Sequence, residues 1–147
     1  MEPAAAPAPV IESPIPQSAI WIKVVARYAD GRMLKGYCRG FIPSRGYLSV
    51  SPAPDAAQAT VTTVLLRHLK AVFFVHDLEG APADVEPTPA ARGRNIVVSF
   101  MDGEVLNGTT INYAVDGPGF FVSPREPRGN NLRIFVVNEA VRHVQFP

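Results

Sequence analysis

The sequence predicts an all-β protein: two tandem five-stranded small barrels produced by internal duplication, preceded by a disordered Pro/Ala-rich tail. Three observations carry this prediction. "YADGRMLKG" at 28–36 and "FMDGEVLNG" at 100–108 write one pattern twice. The stretches around each copy alternate apolar and polar residues at period two, the signature of strands with one buried face. Each unit must fit about five such stretches into some 50 to 60 residues, which leaves no room for a long helix.

Composition bounds the function. The chain of 147 residues is 47% hydrophobic and 18% charged, too apolar to be disordered throughout. A net charge of +1 gives no bulk field that would gather nucleic acid or an anionic membrane, so any such binding must be local. The single cysteine, Cys38, excludes an internal disulfide and a multi-cysteine metal site, and it fits a reducing, cytoplasmic setting. No apolar run approaches the roughly 18 residues that span a bilayer, and the first residues lack the pattern of a signal peptide. Neither membrane insertion nor export is expected.

Read in order, residues 1–19 are rich in Pro and Ala and predict a mobile tail. The first barrel is expected over 20–80. In "IKVVARY" Ile22, Val24, Ala26 and Tyr28 share one face, and Asp30-Gly31 then signals a tight hairpin that turns the chain back. Gly36 falls inside the returning strand, where glycine marks a bend or a close backbone approach. "GYLSVS", "TVTTVLL" and "KAVFFV" supply strands three to five. Residues 81–94, "APADVEPTPAARGR", read as a linker, and 95–147 as the second barrel.

The second unit repeats the plan. Ile96, Val98 and Phe100 share a face, Asp102-Gly103 gives the hairpin, Gly108 the bend, and "GFFVS", "LRIFVV" and "RHVQF" the remaining strands. Gly31 and Gly103 stand 72 residues apart, and that offset also carries Asp30 onto Asp102, "VSP" at 50–52 onto 122–124, Val64 onto Val136, Leu69 onto Val141 and Phe74 onto Phe146. One register kept without a gap through strand, turn and strand argues for duplication.

A strand, an Asp-Gly hairpin, a long second strand bent at its glycine and then "IFVVNEAVRHV" resemble the Sm/LSm-like small barrel and its SH3-like relatives. "LKAVFFVHDLEG" with "PGFFVSPREPRGNNLRIFVVN" is also similar to an uncharacterised bacterial domain family found alone or beside signalling domains. The Sm resemblance implies uridine-rich RNA binding through an Asp and Asn after the second strand and an Arg-Gly step between the last two. Here the Arg-Gly step falls on Val137 and Asn138, and on Leu65 and Leu66, while the Asp position falls on Ala114 and Ile42. The base-reading residues are therefore absent from both copies.

Differences between the copies point to a site. The loop between strands three and four reads "PAPDAAQA" in the first and "PREPRGNN" in the second. Arg125, Arg128 and Arg133, with Asn130 and Asn131, bring guanidinium forks and amides together, a set suited to phosphate, carboxylate or peptide carbonyls. A second feature is "KAVFFVHD", where Val72, Phe73, Phe74 and Val75 make both faces of one strand apolar. Such a strand needs a second cover, so these four residues are expected at a barrel–barrel or subunit interface.

No metal site, cofactor or catalytic constellation is expected. His68, His76 and His143 stand at non-equivalent positions of the repeat, Cys38 has no neighbouring histidine, and no serine sits in a nucleophile elbow. The reading is a non-catalytic binding or adaptor protein, related to protein interaction or signalling and with a protein partner or self-association. The alternative is an RNA- or nucleotide-binding protein, Sm-like or a cyclic-dinucleotide receptor with PilZ-like logic, although the PilZ arginine spacing and its Asp/Asn-x-Ser-x-x-Gly signature are not found.

Overall fold

A computed structural model describes residues 21–54, 56–78, 93–125 and 130–147. The predicted tail at 1–19 and most of the predicted linker lie outside the described residues. The described residues form ten strands: β1 (Ile22–Tyr28), β2 (Met33–Cys38), β3 (Tyr47–Val50), β4 (Thr62–Leu65), β5 (Leu69–Val75), β6 (Arg94–Phe100), β7 (Val105–Thr110), β8 (Gly119–Pro124), β9 (Asn131–Val137) and β10 (Val141–Gln145). Short 3₁₀ turns are the only helical elements among the described residues. All-β is the class observed.

The two halves correspond strand by strand. After a shift of 72 residues β1 coincides with β6 and β2 with β7 at both ends, as do the 3₁₀ turns Leu66–His68 and Asn138–Ala140. The turns match in detail. Tyr28 N–H donates to Arg32 O and Phe100 N–H to Glu104 O, both at 2.8 Å, and Gly31 and Gly103 take φ of 98° and 93°. Only glycine adopts such angles without strain, so the Asp-Gly pairs do set these hairpins.

Gly36 and Gly108 play the role their position suggested. A Cβ on Gly36 would lie 2.5 Å from Ser51 O and 2.6 Å from Val50 Cγ1, and one on Gly108 would strike Ser123 O and Val122 Cγ1. The second strand of each half crosses the third so closely that no side chain fits.

Two separate closed barrels are not what forms. Strands order as β10-β6-β7-β8-β9-β5-β1-β2 in one eight-stranded antiparallel sheet, with β3 and β4 as a two-stranded sheet, and neither sheet closes. The reason lies in β5. It pairs with β1 on one edge and, across the halves, with β9 on the other, in the register Val72↔Phe135 and Phe73↔Ile134. The edge that could have closed a first barrel is thereby used to join the second half.

This pairing places two cores back to back. Val72 and Phe74 of β5 pack with Val24, Ala26, Leu48 and Leu66 in the first, and Phe135 and Val137 of β9 join them. Ala71 of β5 packs with Ile96, Val98, Phe100 and Phe120 in the second, together with Ile134 and Val136 of β9. Successive residues of a strand point to opposite faces, so β5 and β9 each supply both cores. That explains the unbroken apolar run of β5. Burying each large side chain here contributes about 1.5–3 kcal/mol.

Candidate functional site

The sequence-predicted residues do not gather in one place. Val72 and Phe74 are fully buried, and Val75 is nearly so, whereas Phe73 is half-buried and packs from the edge of the second core. Asn130 is committed to the backbone: its Oδ1 accepts from Asp77 N–H and its Nδ2 donates to Asp77 O, both at 2.9 Å. It pins the chain leaving β5 to the start of β9. Arg125 is exposed, and Arg128 lies outside the described residues.

Asn131 and Arg133 part company. Leu132 is the extra residue of a bulge, because Phe74 pairs with Arg133 but Val75 with Asn131. Phe74 and Val75 face opposite ways, so their partners do too. The Arg133 guanidinium rests 4.8 Å from the Phe74 ring centroid and 4.5 Å from that of Phe121. Packing between the rings removes water and lowers its pKa from the ordinary guanidinium value.

Asn131 instead lines a groove of about 290 Å³ on the outer face of β1, β2 and β5, with Val25, Arg27, Lys35, Phe73 and Val75. The register builds it in cross-strand rows. Lys35 of β2 stands opposite Val25 of β1, which stands opposite Phe73 of β5. The next row runs from Lys23 through Val75 to Asn131. The floor is apolar, and Arg27 and Lys35 make the rim basic. Arg27 sits 5.7 Å from the Phe73 ring centroid and 3.7 Å from Glu104 Oε1. Residues from both predicted sets, Phe73 and Val75 with Asn130 and Asn131, therefore meet at one concave surface.

Arg27, Lys35 and Val25 were not among the sequence-predicted site residues, since Val25 and Arg27 lie on the face of β1 opposite Val24 and Ala26, and Lys35 stands beside Val25 on β2. The signal was present in the Val24-Val25 pair, which breaks the alternation and leaves an apolar side chain outside.

Among the described residues no group of His, Cys, Asp or Glu could hold a metal ion. Cys38 is buried, and desolvation pushes its thiol up to about 11. It stays protonated at neutral pH and is a poor nucleophile.

Fold and groove together define an all-β protein of two corresponding halves with a basic-rimmed apolar surface. The chain belongs to a family of unknown function, DUF6982, whose family model matches residues 21–146. No curated protein and no solved structure matches it.

Proposed function

We propose that the chain is a non-catalytic binding or adaptor protein, made of two copies of one Sm/SH3-like unit, that holds a short acidic and apolar segment of a partner protein in the groove over Phe73. The duplication is supported by strand order. In the second half it is fifth-first-second-third-fourth, as β10-β6-β7-β8-β9. The first half follows the same order, β5-β1-β2 and then β3-β4, joined by the bridge between Tyr37 and Ser51.

The observation that carries the binding role is the Lys35–Val25–Phe73 row with Arg27 above it. An apolar side chain of a partner would cover Val25 and Phe73, and flanking carboxylates would meet Arg27 and Lys35. Rim charges of this kind set specificity and association rate more than affinity. The test is peptide display against the full chain, followed by binding measurements with Lys35→Glu and Phe73→Asp variants across a salt series. Selected peptides should carry an apolar residue flanked by Asp or Glu, and both variants should lose them. Selection of uridine-rich RNA instead, with affinity falling steeply as salt rises, would replace this reading with the nucleic-acid one.

A further inference from the structure

A second cavity lies at the opposite end of β2, of about 140 Å³, lined by Cys38, Arg39, Gly40, Phe41, Arg45 and Ser49 among others. Its origin is visible by comparison with the second half. There the residue matching Gly40 is Asn112, whose Oδ1 accepts from Phe121 N–H at 3.2 Å and lies 3.3 Å from the Thr110 hydroxyl, which donates to Phe121 O at 2.8 Å. That amide bridges the end of the second strand and the third strand. In the first half Gly40 has no side chain, the matching residues are Cys38 and Ser49, and the space stands open.

What lines the opening is specific to the first half. Arg39 and Arg45 correspond to Ile111 and Gly117, so two guanidinium groups replace an aliphatic side chain and none. Among the described residues neither arginine has a carboxylate partner. Arg39 rests over the Trp21 ring at 4.5 Å, and among the described residues no acidic one lines the cavity. The Ser49 hydroxyl has no hydrogen-bond partner among the described residues. The buried Cys38 thiol, kept protonated, adds no negative charge.

We infer that this cavity is a binding site for a phosphate dianion, either free phosphate or a phosphomonoester. Two guanidinium forks balance a charge of about −1.5 to −2, and they offer the planar pairs of N–H donors that phosphate oxygens accept. A singly charged carboxylate would satisfy one arginine and leave the other uncompensated. This site shares no residue with the groove over Phe73, so either assignment can fail without the other.

The experiment is an amide chemical-shift titration of the full chain with sodium phosphate, methyl phosphate and, as a monoanion, sodium acetate. Saturable shifts centred on Gly40, Phe41 and Ser49 are expected with the phosphates at concentrations where acetate produces none. Tighter binding of methyl phosphate would identify an ester, and tighter binding of inorganic phosphate the free ion. Arg45→Ala should weaken binding by about tenfold or more. Gly40→Asn should abolish it by setting an amide across the opening, where Asn112 stands in the second half, with the rest of the spectrum unchanged; Asn tolerates the φ of 68° at that position. Absence of saturable shifts, equal response to acetate, or undiminished binding by both variants would overturn the proposal.

Discussion

Lys70 Nζ lies 2.7 Å from Asp102 Oδ2, joining the fifth strand of the first half to the hairpin of the second, and it also bonds Glu104 Oε1. A bulge places it there: Arg27 pairs with Ala71 and Tyr28 with Leu69, leaving Lys70 as the extra residue. Arg142 occupies the matching bulge on β10 and donates to Met101 O of its own half, at 3.3 Å. The same backbone device thus serves as a tie between halves in one half and a local contact in the other.

Replacing Lys70 separates its stem from its charge. The side chain is 5% exposed, while its carboxylate partners are about half exposed and can return to water. Lys70→Ala should therefore cost about 2 kcal/mol, chiefly in lost packing, and Lys70→Met under about 1 kcal/mol. Urea melts of the two variants measure the difference.

Acid should loosen the same tie. The hydrogen bond from Lys70, then that from Glu104 N–H, hold the Asp102 carboxyl below its ordinary value of 3.8. A carboxylate with a depressed folded pKa stabilises the fold above its unfolded pKa and loses that contribution as pH falls through the folded one. The urea midpoint should therefore decline below about pH 4, with a shallower decline in Lys70→Met. Parallel profiles would show that other carboxylates dominate.

The two kinds of glycine should respond differently to alanine. Gly36→Ala drives a methyl into Ser51 O and Val50, which should cost about 2–3 kcal/mol or more. Gly31→Ala meets open space and suffers only its positive φ, at about 1 kcal/mol. Thermal melts of the pair test whether the close crossing of second and third strands is the tighter constraint.

Cys38 should be nearly silent toward thiol reagents. With its pKa at about 11, the thiolate is roughly one part in a thousand at pH 8, and burial hinders access. Labelling of the native chain should be at least about a hundredfold slower than in urea. A fast native reaction would mean that the strand carrying Cys38 opens readily.

Much of this fold is written in local patterns. Alternation at Ile22, Val24 and Ala26, and again at Ile96, Val98 and Phe100, marks the buried faces, and the Asp-Gly pairs and bent-strand glycines mark hairpins and crossings. The strand union was legible only by half. A run such as Val72 to Val75 demands cover on both faces, but nothing local says that β9 supplies it, because strand pairing across halves is a tertiary choice. The loop set was read as one site, whereas the bulge at Leu132 turns Asn131 and Arg133 to opposite faces. A bulge leaves little trace in sequence. Arg39 and Arg45 stand out only once they are seen to line a cavity beside Gly40.

Capture of a partner segment over Phe73 is tested by the affinity of display-selected peptides for wild type and Lys35→Glu. Lys35 is exposed and outside both cores, so its reversal should leave stability intact. Acidic-apolar peptides are expected, with an affinity that drops about tenfold or more with Lys35→Glu and weakens in salt. Peptides bound equally by wild type and Lys35→Glu would place the binding surface elsewhere and contradict it.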